Sequence, residues 1–376
     1  MNCKDWLSRW HVTPSINQTY DFLDGIRGLA ILMVIASHVL YVNPSASLPL
    51  RFLFGLFGSG ALGVTVFFCL SGFLISLPFW KRKFNGDAVI PPNYMSRRFW
   101  KIYPPLLLSI LLLTPVYIAV NGNAAGYWEA ALKWITGGSV FMPVPGILNP
   151  VMWSLIVEVH FYALLPLLFL AFRRLSYRQT LWSMFSVFLL IPPLARFIYA
   201  QYGLHCSLHP QILVNFPSSL DAFAFGILIS GLLQAGTLRP SFARMGPIGL
   251  VCLVITLLAS SYGRISADTA AIFNNEVIHY MTMISSAMIL CFVAAPGSAN
   301  KFGFNLPILR WFGLLSYEWY LFHQPLFYWA WNLFGLSGGD PKIYFLRTAV
   351  PTAVSLLIAA LIYRYYSLPI LRRARG

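Results

Sequence analysis

Ten predominantly apolar runs, each about 18 to 24 residues long, constrain the fold of this chain more than any other feature. A helix of about 20 residues is long enough to cross the hydrocarbon core of a bilayer. The runs do not alternate apolar and polar residues as the strands of a membrane barrel do, and lipid offers the backbone no hydrogen-bond partner. We therefore predict an all-α, polytopic membrane helical bundle of about ten transmembrane helices, at residues 25–43, 59–79, 102–120, 152–172, 179–199, 212–234, 245–262, 278–296, 312–335 and 346–366.

The overall composition agrees with a protein whose main partner is the lipid bilayer. The 376 residues are 58% hydrophobic and only 10% charged, which excludes an ordinary soluble protein. The net charge of +15 does not indicate a nucleic-acid partner, because the basic residues form short clusters between the apolar runs. The five cysteines show no CxxC or Cys/His ligand spacing, so we predict neither disulfides nor a metal site.

The distribution of Lys and Arg predicts the orientation of the bundle. An even number of crossings places both termini on one side, and cytoplasmic termini put twenty Lys and Arg residues inside and six outside. We expect a cytoplasmic N-terminal segment at 1–20, a single transmembrane domain at 21–370 and a basic cytoplasmic tail at 371–376. The longest outer loop, at 121–151, shows no obvious regular structure, and such loops are often functional.

Two ionisable residues stand out in the first apolar run. Arg27 and His38 are 11 residues apart, which is about three helical turns, so both side chains are predicted to lie on one helix face with Asp24 a turn earlier. An ionisable residue inside a membrane helix is a functional hypothesis by default. A neutral His suits a general base, and an Arg suits the bidentate binding of phosphate. The structural alternatives are an Arg that anchors the helix at the membrane surface and a His bonded within the bundle.

Other polar residues fall where a membrane helix should be apolar. Glu158 lies near the outer end of the fourth run, where it must face the bundle or a wet cavity, and His160 points away from it. Asp221, Glu318 and His323 are further candidates for buried polar groups. Basic residues of the inner loop orient the helices or hold an anionic cofactor, and Ser71-Gly72 is expected to serve helix packing.

These motifs occur in an order that resembles membrane acyltransferase family 3. Asp24-Gly25-Ile-Arg27-Gly28, with His38 after ten intervening residues, is similar to the Arg-x10-His signature of that family. The resemblance covers residues from about 20 to 370, and the family's ten-helix core agrees with the count above. The other matching blocks are Phe67-Phe-Cys-Leu-Ser71-Gly72-Phe73, Arg97-Arg98 through Lys101, Tyr103 and Pro104, Trp153-Ser-Leu with Glu158 and Phe161-Tyr162, and Ser316-Tyr317 with Tyr320 and His323.

The resemblance implies transfer of an acyl group from acyl-coenzyme A, usually acetyl-coenzyme A, to a sugar hydroxyl of a cell-envelope glycan or glycolipid. It also implies a multi-pass protein of a bacterial inner membrane. By motif position, the implied catalytic residues are His38, Arg27 and Glu158, with Glu158 orienting His38 or the sugar. The implied residues for the coenzyme are Arg27, Arg97, Arg98, Lys101 and Tyr103, and the implied supporting residues are Asp24, Ser71, Trp153, Asp221, Tyr320 and His323.

Several alternatives remain open at this stage. The chain departs from the family pattern at Val159-His160, at Lys101 and at Ser367-Leu368-Pro369, positions that bear on the acceptor more than on the reaction. The acceptor is then a glycan or a small secreted metabolite such as a macrolide. Direct transfer and an acyl-His intermediate are both compatible with His38. A transporter or flippase with a polar site between its helices is the rival class.

Overall fold

In the part of the chain that the computed structural model describes, all regular secondary structure is helical; that part comprises residues 10, 21–39, 60–121, 124–136, 149, 151–201, 218–265, 271–295, 303–334 and 341–374. Eleven long helices lie in these ranges. They are α1 (Asp21–Val39), α2 (Gly60–Asn85), α3 (Tyr94–Asn121), α4 (Ala124–Thr136), α5 (Met152–Ala171), α6 (Tyr177–Gln201), α7 (Asp221–Gln234), α8 (Met245–Ile265), α9 (Ala271–Ala294), α10 (Pro307–Phe334) and α11 (Pro341–Ile362).

Each of the ten predicted apolar runs coincides with one of these helices, so the all-helical, polytopic membrane architecture is confirmed. Seven described segments are long and apolar enough to cross a membrane, while α7 is an apolar helix of only 14 residues. The count of ten crossings and the cytoplasmic termini stay predictions. The seven segments are Phe22–Val39, Gly60–Asn85, Met152–Ala171, Tyr177–Ile198, Pro240–Ser260, Val277–Ala294 and Leu346–Arg373.

The expectation of a long unstructured stretch at 121–151 is wrong for its first half. Residues Ala124–Thr136 form α4, in which Tyr127 is fully buried, whereas Trp128 and Leu132 are exposed. The Tyr127 hydroxyl donates a hydrogen bond to the Ile110 carbonyl and so fixes α4 against α3. Residues 137–148, like Cys3 and Cys206 elsewhere, lie outside the described residues.

Two compact units make up the chain. The first contains residues 1–70 and 236–372, and the second contains 71–235 and 373–376. In the first unit α1 packs on α10, α8 packs on α9, and α11 packs on α10, where the Trp319 indole donates to the Ser355 hydroxyl at 3.0 Å. In the second unit α6 packs on α7, and the Trp80 indole of α2 donates to the Ile227 carbonyl at 3.1 Å.

The contact of α1 with α10 brings the two backbones together because glycines line it. A Cβ atom at Gly28 would overlap the Leu309 carbonyl, and one at Gly313 would overlap the Asp24 carbonyl. Small residues at such a crossing allow close van der Waals packing of membrane helices. The Arg27–Ser316 contact comes before the His38–His323 contact along both helices, so α1 and α10 run in the same direction, as expected if the first and ninth apolar runs cross the membrane in one direction.

The C-terminal end of α11 is irregular. A π-helical turn at Tyr363–Ser367 connects it to a last short helix at Leu368–Arg373. The Tyr363 hydroxyl donates to the Trp10 carbonyl at 2.8 Å, and the two rings stack with centroids 6.3 Å apart. Single π turns are often found at functional sites, and this one holds an N-terminal residue against the end of the bundle.

We expect Gly313→Ala to destabilise the protein by about 1–3 kcal/mol, because the added methyl group must force α1 and α10 apart. Gly86→Ala is the matched control: its Cβ meets nothing within 4 Å, and only the positive φ of 76° opposes it, at a cost of about 1 kcal/mol. Thermal unfolding in detergent measures both. A Gly313→Ala midpoint at or above that of wild type would contradict the tight crossing.

Candidate active site

His38 lies one residue before the end of α1 and is half-buried. Its Nδ1 atom is 2.9 Å from the Val34 carbonyl oxygen, which can only accept a hydrogen bond. The proton of a neutral His38 is therefore held on Nδ1, and the Nε2 lone pair is left to accept a proton. The local sequence produces this geometry because a side chain on a helix reaches the carbonyl four residues earlier.

His323 faces His38 from α10. The two ring centroids are 5.0 Å apart with an interplanar angle of 70°. His323 is fully buried, and its Nδ1 atom donates to the Tyr320 carbonyl at 2.8 Å and approaches the Trp319 carbonyl at 3.2 Å. Its Nε2 atom has no hydrogen-bond partner among the described residues. The Tyr320 ring, 5.6 Å from His323, closes this side of the pair.

Arg27 also contacts α10, so the prediction that Arg27 and His38 share one helix face is confirmed. An Arg27 Nη2 group donates to the Ser316 hydroxyl at 3.2 Å. Arg27, Asp24, Glu318 and Arg372 all lie within electrostatic range of the Tyr363 phenol. Arg27 thus belongs to a mixed cluster of two carboxylates and two guanidinium groups rather than to a purely basic site.

The second unit builds a polar cluster around Glu158. Its Oε1 atom accepts hydrogen bonds from the Ser71 hydroxyl at 2.7 Å and from the Tyr162 hydroxyl at 2.5 Å. Glu158 Oε2 accepts none from the described residues, so one carboxylate oxygen is committed and the other is available. Ser71 therefore has a polar role, while the neighbouring Gly72 serves packing as predicted, since a Cβ there would overlap the Phe223 carbonyl.

Arg98 borders the Glu158 cluster through two aromatic rings. Its guanidinium carbon lies 5.5 Å from the Tyr162 ring centroid and 5.9 Å from the Tyr94 ring centroid. The Tyr94 hydroxyl donates to the Tyr162 carbonyl at 3.1 Å. Burial raises the pKa of Tyr94 above its ordinary value, with a smaller opposing effect of Arg98 and a raising effect of Glu158, so Tyr94 remains a donor at neutral pH.

The other α3 residues predicted for the coenzyme differ from Arg98 in their surroundings. Arg97 is exposed and donates to the Pro92 carbonyl at 2.8 Å. It points away from Arg98 because consecutive helix positions are about 100° apart. The Tyr103 hydroxyl is 3.5 Å from the Ile135 carbonyl of α4, and its ring lines an apolar cleft with residues such as Leu106 and Leu155. Lys101 and Trp153 are half-buried on α3 and α5.

Asp221 is buried, as predicted. Its partner is Arg196, a basic residue that the sequence analysis used only to predict the orientation of the helices in the membrane. The Asp221 Oδ2 atom lies 2.9 Å from Arg196 Nη1, with the two side chains 0% and 5% exposed. Arg196 also donates to the Ser218 carbonyl. This ion pair joins the start of α7 to α6, which gives Asp221 a structural role whatever else it does.

Tyr94 and Arg196 are the residues that sequence reasoning missed. Tyr94 precedes Arg98 by four positions, and that spacing on a helix is a local signal for an aromatic–Arg contact. Arg196 carries no comparable signal, because its partner lies 25 positions later on another helix. An Arg inside an apolar run can be recognised as needing a buried carboxylate, but the sequence does not say which one.

A buried and a half-buried histidine, a hydroxyl-bonded carboxylate and helices long and apolar enough to span a bilayer define a polytopic membrane protein with polar sites among its helices. Residues 20–364 match the family model described as an acyltransferase domain. The chain therefore belongs to acyltransferase family 3, and it is a membrane acyltransferase.

Two relatives are informative about the extent of the similarity. The chain is 24% identical to the acyltransferase MdmB of Streptomyces mycarofaciens, over 90% of this chain and 87% of that protein. It is also 24% identical to the peptidoglycan O-acetyltransferase OatA of Listeria monocytogenes, over 93% of this chain but only 55% of that protein. No solved structure matches the chain.

We expect Asp221→Ala to destabilise the protein by about 3–5 kcal/mol, because it leaves the Arg196 charge buried without its partner. The double variant Arg196→Met/Asp221→Leu should recover most of that loss, while Asp87→Ala, at an exposed position, should change little. Thermal unfolding in detergent measures the series. A double variant as unstable as Asp221→Ala would contradict the ion pair as the cause.

Proposed function

We propose that this protein transfers an acyl group, acetyl in the first instance, from acyl-coenzyme A to a hydroxyl of a sugar in a cell-envelope glycan or glycolipid of a bacterial inner membrane. Membership of the acyltransferase family supports the reaction class. The peptidoglycan O-acetyltransferase among its relatives supports a glycan acceptor, although the chain spans only 55% of that relative. The family also argues against the transporter alternative.

The observation that carries the proposal is the orientation of His38. A general base must present a lone pair and must be held in one tautomer. The bond from Nδ1 to the Val34 carbonyl meets both requirements, because it leaves Nε2 unprotonated. The half-buried position of His38 also limits access of bulk water.

The chemical step then involves one proton and one acyl group. The acceptor oxygen attacks the thioester carbonyl carbon while His38 Nε2 takes the hydroxyl proton. A carbon–oxygen bond forms, the carbon–sulfur bond breaks, and the proton passes from His38 to the departing thiolate. Coenzyme A leaves as the thiol and the acceptor leaves as the ester. An acyl-His intermediate would divide the reaction into two transfers: a carbon–nitrogen bond to His38 Nε2 forms as the carbon–sulfur bond breaks, and that carbon–nitrogen bond then breaks as the acceptor oxygen forms the ester.

Glu158 suits the binding of a hydroxyl acceptor. Two protein hydroxyls already donate to its Oε1 atom, and the available Oε2 atom can accept a hydrogen bond from a substrate hydroxyl. Carboxylates that bind sugars commonly receive such bonds from the ring hydroxyls. We propose that Ser71 and Tyr162 hold the carboxylate in place for this contact.

His38→Ala should abolish transfer, with a loss of about 100-fold or more, because general-base catalysis contributes on that scale. The assay supplies acetyl-coenzyme A labelled in the acetyl group, with peptidoglycan fragments in one arm and a macrolide in the other. Label in the peptidoglycan arm supports the glycan acceptor, and label in the macrolide arm replaces it with a small metabolite.

His160→Ala is the matched control for this variant. The His160 Nδ1 atom makes the same contact with the carbonyl four residues earlier, at 2.8 Å from Ile156, but on α5. The transfer activity of His160→Ala should stay within about twofold of that of the wild-type protein. Wild-type turnover in His38→Ala would refute the assignment of the base, and failure of the wild-type protein to release coenzyme A with any acceptor would refute the reaction.

Arg27→Gln should raise the KM for acetyl-coenzyme A by about 10-fold or more if Arg27 binds a phosphate of the coenzyme. The same variant should leave the KM for acetyl-pantetheine unchanged, because that donor lacks phosphate groups. Arg174→Gln, at an exposed position in the loop after α5, is the control. An equal loss with both donors would instead assign Arg27 to the structural cluster with Ser316, Asp24 and Glu318.

A further inference from the structure

His323 holds a hydrogen-bond acceptor that nothing in the described structure uses. Its side chain is 0% exposed, and its Nε2 lone pair has no partner there. A buried polar atom left without a partner typically costs about 1–3 kcal/mol. A residue that only filled this space could be apolar, so the lone pair calls for a donor that is present during part of the reaction cycle.

The ionisable group that contacts the His323 ring is His38. Its ring centroid lies 5.0 Å from that of His323, at 70°, which is an edge-to-face contact with no room for a third group between the rings. If the edge of His38 points at the face of His323, a protonated His38 meets the electron-rich face of an aromatic ring. If instead the edge of His323 points at His38, that edge includes the Nε2 atom, because Nδ1 is turned toward the carbonyls to which it is bonded.

Beyond the proton that each neutral ring carries on Nδ1, the pair of histidines accommodates one additional proton but not two. Two imidazolium rings at this distance inside a helix bundle would repel each other strongly, because a like charge and burial both disfavour the second charge. One imidazolium beside one neutral imidazole is attractive by either geometry. The arrangement therefore favours the state in which His38 alone has become positively charged.

We propose that His323 is a positioning residue that stabilises protonated His38, so that the two rings together hold the single proton taken from the acceptor hydroxyl. The inference rests on the proposed function. The proton leaves the acceptor oxygen as the ester bond forms, resides on His38 next to neutral His323, and is delivered to the thiolate when the carbon–sulfur bond breaks. His323 itself makes no covalent bond and ends each cycle unchanged.

Two substitutions separate this role from simple packing. His323→Leu removes both the lone pair and the aromatic face, whereas His323→Gln keeps an acceptor oxygen at the same position. We expect kcat to fall about 100-fold in His323→Leu and less than about 10-fold in His323→Gln. The KM for acetyl-coenzyme A should be unchanged in both. His279→Leu, on α9, is the control, with kcat near that of wild type.

The melting temperature supplies the second readout. Because His323→Leu removes an unpartnered polar atom, it should melt no lower than wild type, so that a stable but slow enzyme is the expected result. The assay is transfer of labelled acetyl from acetyl-coenzyme A to the peptidoglycan fragments or the macrolide. A destabilised His323→Leu whose kcat loss follows its loss of folded protein would overturn the inference, as would wild-type kcat in that variant.

These outcomes are distinguishable from failure of the proposed function. If the wild-type protein transfers acetyl and His38→Ala does not, the reaction and its base stand, whatever His323→Leu does. If the wild-type protein transfers acetyl to neither acceptor and releases no coenzyme A, the proposed function and the role of His323 are overturned together. A loss in His323→Gln as large as that in His323→Leu would also overturn the role of the acceptor atom.

Discussion

The close packing of α1 on α10 is the constraint on which the histidine site depends. Lipid is as apolar as a leucine side chain, so association of two membrane helices relies on van der Waals contact rather than on a hydrophobic driving force. Gly28 and Gly313 permit that contact by letting each helix meet a carbonyl group of the other. Once the backbones are this close, Arg27 reaches Ser316 and His38 reaches His323 with little freedom left to either pair.

Buried polar groups in this protein are satisfied in two ways, with different consequences for chemistry. His38 and His323 bond to carbonyls of their own helices, which fixes one ring nitrogen and leaves the other unengaged. Glu158 and Asp221 bond across helices, and their partners hold the packing together as well as the charge. The first arrangement suits a group that must gain and lose a proton, because the exchange does not loosen any contact between helices.

Local sequence patterns predicted the positions of most helices, but they could not predict which residues on different helices contact each other. Apolar runs located ten of the helices α1 to α11, and an 11-residue spacing placed Arg27 and His38 on one face. The helix α4 was missed because it is short and mixes charged with apolar residues inside a loop rich in turn formers. Partners such as Arg196 for Asp221 require the packed fold, since no periodicity connects positions on different helices. The family match explains why motifs alone were sufficient to identify the reaction class.

The pairing of the first and the second-last long helices also has a consequence for how the protein is made. Arg27 and Ser316 are separated by 289 residues, so α1 leaves the ribosome well before its partner exists. At typical rates of synthesis the delay is on the order of tens of seconds. During that interval the polar face of α1 must be sheltered by the insertion machinery, by earlier helices or by the lipid headgroups. Assembly of the histidine pair is therefore among the final events of biogenesis, and a chain truncated before α10 would reach the membrane without it.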